Sequence, residues 1–325
     1  MYKNAALPKG AVAGMDRYFN VKPWNHNRVK LRVSSDEIDY VNASQIELKS
    51  VESEASEPLR FIAMQGPTVS SFPHVWRLVA EQTQSPAVIV QLTKMAENGA
   101  PKCDQYFPTD KDPEYKVNEN DLWNDGWGAV LSLDVDSLEL LDDGAIEKRK
   151  LLLKMEGEED ERIIWHFLFT KWPDFDVPQS EDLDSFHNLM RVSEECNGTS
   201  NPRLVHCSAG IGRTGTFIAL THLMQELEKG HIAPEETPPK KANSEDGGLI
   251  YDVVDKLRQQ RVGMVQSPSQ YQFLYQTLRL AWQRKYAPQD VDRVPPLPAT
   301  SASDSANLFT GPSKPRAGEV DEKLR

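Results

Sequence analysis

The sequence predicts an α/β fold, and three observations carry that expectation. A short apolar run at Leu204 and Val205 passes through a small, Gly-rich loop, Cys207-Ser208-Ala209-Gly210-Ile211-Gly212, into a helix-periodic stretch with Phe217, Leu220, Met224 and Leu227 on one face. Ala87-Val88-Ile89-Val90-Gln91-Leu92 is short, apolar and β-branched, the pattern of a buried strand. Strand-like runs at 59–64, 87–92 and 162–170 are interspersed with helix-like stretches at 73–84 and 180–195.

Composition narrows the class. With 325 residues the chain has room for one large domain or two small ones. A net charge of −12 argues against nucleic acid as the main partner. The cysteines Cys103, Cys196 and Cys207 form an odd set without paired or metal-ligand spacing, which points to a reducing compartment, and no metal or cofactor is expected. The first 30 residues lack a signal-type apolar core, and no run reaches membrane-spanning length. In such a setting the glycosylation sequons at Asn42 and Asn197 carry no meaning.

Residues 1–15 are small, polar and uninformative. Asp16-Arg17-Tyr18-Phe19-Asn20-Val21 reads as a loop, and residues 25–31 as its entry into a strand. Asp39-Tyr40-Val41-Asn42-Ala43-Ser44 reads as a strand end, and the strand at 59–64 ends in Gln65-Gly66-Pro67. Trp76, Val79 and Ala80 face inward on the helix at 73–84. Glu97 and Lys102 read by themselves as surface loop charges. Residues 118–160 are acidic and poorly periodic, with Leu151-Leu152-Leu153 as a candidate strand. Along 162–170, Ile163, Trp165, Phe167 and Phe169 alternate onto one face. Trp172-Pro173-Asp174-Phe175-Asp176-Val177-Pro178 is a Pro-punctuated loop, after which Ser180 is placed to cap a helix to about residue 195. Residues 231–248 read as a flexible insertion, and 249–261 as a helix with Ile250, Val253, Val254 and Leu257 inward. Ser267 and Pro268 open a last helix, with Gln270 placed for a capping box.

The chemistry concentrates at the Gly-rich loop. Small residues let successive N–H groups turn inward as an anion nest. The following helix adds unpaired N–H groups and the positive end of its dipole. Cys207 sits where an anion is expected, a position that favours the reactive thiolate. Arg213 offers a planar fork for two phosphoryl oxygens.

The sequence Val205-His206-Cys207-Ser208-Ala209-Gly210-Ile211-Gly212-Arg213-Thr214-Gly215 resembles the signature loop of protein tyrosine phosphatases. Arsenate reductases and dual-specificity and lipid phosphatases share the Cys-to-Arg spacing, so the loop alone does not choose among them. Tyr18 with its loop, Gln65-Gly66-Pro67, Trp172-Pro173-Asp174 and Gln266 complete a resemblance to the non-receptor, tyrosine-specific phosphatases over residues 16–284. The fold it implies is one domain: a highly twisted mixed β-sheet flanked by helices on both faces, with the phosphate-binding loop between a central strand and a helix.

The resemblance also implies roles. Tyr18 stacks on the substrate ring and deepens the slot, so that phosphotyrosine reaches Cys207 and phosphoserine does not. Asn20 stands where the family carries an Asp that holds the substrate backbone; Asn accepts such bonds without the charge. Asp174 is the general acid on a mobile loop with Trp172, and Phe175 flanks the substrate ring when that loop closes. Asp176 stands where Gly is usual. Glu97 pairs with Arg213, and Lys102 faces the acid loop. Ser208, Ala209, Gly210, Ile211 and Gly212 hold the phosphoryl oxygens with Arg213. Thr214 assists departure of Cys207, and His206 bonds the loop. Gln266 orients the attacking water; for Gln270, holding the phosphoryl group and the capping box stand as equal readings. The implied activity is hydrolysis of phosphotyrosine in proteins through a phosphocysteine.

The alternatives are a dual-specificity or lipid phosphatase, against which the Tyr18 loop and Gln266 speak, and a non-catalytic phosphotyrosine-binding module on the same fold. The expected state is a cytoplasmic monomer, also able to be nuclear. Residues 1–15 precede the catalytic domain of 16–284, which carries inserts at about 118–160 and 231–248. Residues 285–325 form a disordered tail, with Pro295-Pro296-Leu297-Pro298 as a weak candidate for a polyproline-binding partner.

Overall fold

The computed structural model describes residues 3–4, 14–53, 55–109, 115–118, 120–127, 132–155, 158–173, 176–198, 201–234 and 248–288. The strands are β1 (Arg28–Lys30), β2 (Tyr40–Leu48), β3 (Leu59–Met64), β4 (Ala87–Gln91), β5 (Ala96–Glu97), β6 (Ala100–Pro101), β7 (Tyr115–Lys116), β8 (Ser132–Leu141), β9 (Ile146–Lys154), β10 (Arg162–Phe169) and β11 (Arg203–His206). The helices are α1 (Phe72–Gln82), α2 (Leu183–Glu195), α3 (Gly212–Glu228), α4 (Leu249–Gln260) and α5 (Pro268–Tyr286).

Nine strands form one mixed sheet in the order β1-β2-β3-β11-β4-β10-β9-β8-β7, and β5 and β6 form a separate ribbon. The middle is parallel: β11 pairs with β3 and β4, and β4 with β10. The flanks are antiparallel. Parallel strands need cover on both faces, and the period-2 alternation of the central strands supplies it. Phe61, Ala63, Val88, Val90 and Val205 enter a core with the apolar faces of α2, α3, α4 and α5. Their neighbours Ile62, Met64, Ala87, Ile89 and Leu204 enter a second core with α1 on the other side.

Several elements differ from expectation. The stretch 39–44 is the beginning of a nine-residue strand, not a strand end. Within 118–160 lies a long hairpin, β8–β9. Its alternation is unreadable because β8 runs out beyond the helices and is exposed over 136–140, so no apolar face is demanded. Ser180 does not cap α2: a 3-10 turn covers Ser180–Asp182, and Asp182 occupies the N-cap position without a side-chain bond. α4 stops at Gln260, because Arg261 leaves helical geometry at φ −149°. α3 is buried on all sides of its first three turns, Thr216, Thr221 and His222 included, so its apolar stripe understates its burial. The β5–β6 ribbon overlaps residues 97–102, which read as loop. The candidate polyproline segment lies outside the described residues.

Four histidines are buried in this frame: His74, His166, His206 and His222. Burial pushes His74, His206 and His222 down to about 4, and His166 well below its ordinary value. The unfolded chain, with histidines near 6.5, therefore binds more protons than the folded one between about pH 6.5 and pH 4. Stability is complete above that window and is lost as pH falls through it, by up to about 1.4 kcal/mol per histidine per pH unit. Urea unfolding at pH 7.0, 6.0 and 5.0 is expected to give a falling midpoint already above pH 5, before carboxylates titrate. A flat midpoint across that range contradicts the assignment.

Candidate active site

β11 ends at the middle of the sheet, with His206 in register with Met64 on one side and Gln91 on the other. Cys207 follows, and the chain turns into α3 at Gly212. Every carbonyl from His206 to Ile211 has a protein donor. The His206 carbonyl accepts from the Leu92 N–H at 2.8 Å, and that of Ser208 from the Gly66 N–H at 2.9 Å. The Cys207 carbonyl lies 3.2 Å from His206 Nδ1. Arg261 donates to the carbonyls of Gly210 (2.8 Å) and Ala209 (3.2 Å). The Ile211 carbonyl accepts from Gly215 N–H (2.9 Å) and Val265 N–H (3.1 Å). With the carbonyls drawn outward, the amides turn to the opposite side. The Gly210 N–H donates to Cys207 Sγ at 3.3 Å. Among the described residues, the amides of Ser208, Ala209, Ile211 and Gly212 have no protein acceptor. α3 begins at Ile211 without a side-chain cap, so its first amides add to the same nest.

Glycine is required at Gly210. Its φ is +72°, and a Cβ there would lie 2.0 Å from the Met64 carbonyl oxygen.

Arg213 stands beside the nest as the resemblance implies. Its Nη1 and Nη2 donate to the two Glu97 oxygens at 2.7 and 2.6 Å, and Nη1 also reaches the Leu92 carbonyl at 3.0 Å. Thr93 Oγ1 and the Lys94 N–H fix the Glu97 carboxylate from behind. Burial raises the Glu97 pKa, but the Arg213 bonds and charge, with those from Thr93 and Lys94, outweigh it and hold the carboxyl below its ordinary range. The guanidinium plane is thus set before any ligand arrives.

His206 is buried and neutral near pH 7, since burial and the Arg17 charge outweigh its bond to Cys207 and leave it at about 4. The Cys207 carbonyl only accepts, so Nδ1 carries the proton. Nε2 is then bare and accepts from the Tyr106 hydroxyl at 2.8 Å. The Tyr106 oxygen in turn lies 3.1 Å from His166 Nε2, which also faces Gln91 Oε1 at 3.1 Å. Burial keeps His166 neutral and raises the Tyr106 pKa, so each proton in this chain has one direction. Thr214, in the first turn of α3, is fully buried, and its Oγ1 has no hydrogen-bond partner among the described residues.

The walls come from distant parts of the chain. The Tyr18 hydroxyl lies 2.8 Å from Ser208 Oγ. Its turn is anchored by Arg17, whose backbone N–H donates to Gln65 Oε1 (2.9 Å), Nε to the Gly66 carbonyl (2.9 Å) and Nη2 to the Pro67 carbonyl (2.6 Å). Asn20 is exposed on the same turn. Opposite, Gln270 Oε1 accepts from the Gln266 and Ser267 N–H groups at 3.0 and 3.2 Å, and Ser267 Oγ accepts from the Gln270 N–H, which completes the capping box. The amides of both glutamines also lie over Gly212, where an added Cβ would sit 3.0 Å from Gln270 Oε1 and 3.2 Å from Gln266 Oε1. Val265 holds this turn at φ +58°, a strained conformation for a β-branched residue. Trp172 is buried, with Nε1 donating to the Asp176 carbonyl at 2.8 Å. Lys102 is buried, and a Cβ on Gly66 would touch the carbonyls of both Lys102 and Cys207. Asp174 and Phe175 lie outside the described residues.

Sequence reasoning missed Arg261, Asn42, Tyr106 and His166. Arg261 is fully buried and also donates to Asn42 Oδ1 (2.9 Å) and Ser44 Oγ (3.2 Å). A basic residue closing an amphipathic helix reads as solvated, so nothing local marks it. His166 had a signal: it is a polar residue inside an apolar strand that is buried on both faces.

Arg261→Met keeps the length of the stem and removes its donors. Each buried acceptor left unpaired costs about 1–3 kcal/mol. The expected outcome is a markedly lower urea midpoint and weaker binding of inorganic phosphate or vanadate by calorimetry; unchanged anion affinity contradicts the clamp.

The pattern of the family described as protein-tyrosine phosphatase matches residues 13–279. The human phosphatidylinositol phosphatase PTPRQ is 36% identical over 266 residues, covering 81% of this chain and 10% of that protein. Tyrosine-protein phosphatase 1 of Saccharomyces cerevisiae is 33% identical, covering 80% of each chain. The catalytic domain of human protein tyrosine phosphatase non-receptor type 18 superposes with a TM-score of 0.65 at 27% identity, covering 84% of this chain and 87% of that one. The chain thus spans about a tenth of the length of PTPRQ and nearly all of the solved catalytic domain.

Proposed function

The chain belongs to the protein-tyrosine phosphatase family, and on that premise we propose that it hydrolyses phosphotyrosine in proteins by way of a phosphocysteine. The observation that carries this is the outward locking of the carbonyls from His206 to Ile211, which turns the loop amides toward the Cys207 sulfur. Four amides without protein acceptors and a preset guanidinium suit the equatorial oxygens of a phosphoryl group as negative charge spreads over them.

In the reaction Cys207 sulfur attacks phosphorus in line, and the bond to the tyrosine oxygen breaks. Asp174 gives its proton to that oxygen. An S–P bond has formed, and the phenol leaves neutral. Water held by Gln266 then attacks phosphorus, Asp174 takes a proton from it, and the sulfur departs as thiolate. The buried Thr214 hydroxyl, without another described partner, is suited to donate to that thiolate. Arg213 leaves or shares Glu97 to clamp two phosphoryl oxygens. His206 acts through the Cys207 carbonyl as a positioning residue. Tyr18, fixed to Ser208, gives the slot the depth of an aryl phosphate.

Phosphoproteins are the proposed partners. A solved relative, non-receptor type 18 in complex with HER2 phosphopeptides, supports this at a TM-score of 0.66 and 26% identity. No helix among the described residues is long and apolar enough to cross a membrane. A second reading, phosphoinositide hydrolysis, is favoured by the name of PTPRQ.

The test is phosphate release from a phosphotyrosine peptide, a phosphoserine peptide and phosphatidylinositol phosphate vesicles, in chelator and reductant. Turnover is expected on the first alone. Cys207→Ser is expected to abolish it, and Asp174→Ala to cut kcat by roughly 10²–10⁴. Turnover that survives Cys207→Ser overturns the mechanism, and preference for the vesicles overturns the substrate.

A further inference from the structure

Phe19 and Val69 are the two most exposed large apolar side chains among the described residues, at 89% and 69%. They are linked through one ion pair, which joins the stretch that carries Phe19 to the backbone of Val69. Arg17 Nη2 meets Asp104 Oδ2 at 3.1 Å, and that same oxygen accepts from the Val69 N–H at 3.3 Å. Phe19 lies two residues after Arg17 and one after Tyr18, whose hydroxyl touches Ser208 of the loop. Both turns are closed. The Val21 N–H donates to the Tyr18 carbonyl at 3.3 Å, and the Ser71 N–H to the Thr68 carbonyl at 2.8 Å, with Thr68 N–H to Ser71 Oγ at 2.9 Å. A phenyl ring is therefore exposed to water on a hydrogen-bonded turn, one residue from the tyrosine that touches the loop.

The two turns themselves carry no charged side chain. Neither Tyr18-Phe19-Asn20-Val21 nor Pro67-Thr68-Val69-Ser70 contains an ionisable side chain other than the tyrosine. The nearby cations are committed: Arg17 to Asp104 and two carbonyls, and Lys22 to Asp16 at 3.7 Å. An acidic residue beside the phosphotyrosine would find no counter-charge on this side, and a multiply phosphorylated lipid headgroup still less. An apolar residue would find two uncovered apolar side chains on turns whose backbone is already hydrogen-bonded, so covering them returns the hydrophobic gain at the cost of side-chain rotamers alone.

We propose that Phe19 and Val69 form a specificity rim, which selects phosphotyrosine polypeptides bearing an aliphatic or aromatic side chain within about three residues of the phosphotyrosine, the reach of an extended strand of roughly 10 Å. This rests on the phosphotyrosine hydrolysis proposed above.

The experiment uses the full chain and three matched phosphotyrosine peptides, with Leu, Ser or Glu at the flanking positions. The Leu peptide is expected to exceed the Ser peptide in kcat/KM by about tenfold, mainly through KM. That preference is expected to persist at high salt, since screening does not act on apolar contact. Phe19→Ala and Val69→Ala each shrink the ratio, and together they bring it to within about twofold, whereas Phe19→Leu keeps most of it. Equal turnover of all three peptides, a preference for Glu, or a ratio untouched by the double variant overturns the rim and leaves the phosphatase reading standing. A folded protein that hydrolyses none of the peptides overturns both readings, as does one that hydrolyses phosphatidylinositol phosphate vesicles in their place.

Discussion

A guanidinium buried without a carboxylate at its head holds the Gly-rich loop in shape, and much of the molecule is arranged to make that tolerable. Arg261 donates to the carbonyls of Ala209 and Gly210, to Asn42 and to Ser44. Burial lowers its pKa to about 10, with Tyr40, Cys207 and Asp16 opposing the loss of charge, so it remains a cation at neutral pH. Breaking such a buried charge free of its partners is costly, which makes the arrangement stiff. The same interaction does two things at once. It pulls carbonyl oxygens to the back of the loop, which turns the amides forward, and it places a positive charge behind a site built for an anion.

Stiffness spreads outward from that clamp. Asn42, which accepts from Arg261, also donates to Asp16 and to the Val21 carbonyl, so the turn carrying Tyr18 is tied to the residue that shapes the loop. On the other side Val265 tolerates a left-handed backbone while its N–H holds the Ile211 carbonyl, and Gly215 lets that turn approach: a Cβ there would lie 2.5 Å from the Val265 nitrogen. Gln266 and Gln270 are delivered over Gly212 by that contact. Gln270 need not choose between capping α5 and facing the loop, because one geometry does both.

The neutral chain Gln91–His166–Tyr106–His206 ends on the Cys207 carbonyl. Its direction follows from burial, which denies either imidazole a charge, and from the carbonyl, which can only accept. It fixes the backbone next to Cys207 without adding a titrating group near neutral pH. Glu97 does the matching task for Arg213, being a carboxylate held low by the guanidinium it orients.

Much of this was written locally. Leu204 and Val205, the small loop, and the helix after it required a strand, a nest and a dipole in succession, because small residues at those positions leave amides uncovered. The alternation in β3 and β4 already divided side chains between two cores, and Ser267 with Gln270 spelled a helix start that formed as read. Of the β8–β9 hairpin only Leu151-Leu152-Leu153 was readable, since β8 is exposed over 136–140 and needs no apolar face there. Arg261, Asn42 and Tyr106 were equally silent, and His166 gave only the signal of a polar residue in an apolar strand. Their meaning depends on which backbone groups lie beside them, and residues more than forty positions apart in sequence meet only when the sheet has closed. The sequence by itself therefore determined the chemistry, the loop and the strand that carries it. Only the tertiary structure decided how the loop is held and what its rim offers a substrate, because hydrogen-bond partners and exposure are properties of neighbours in space.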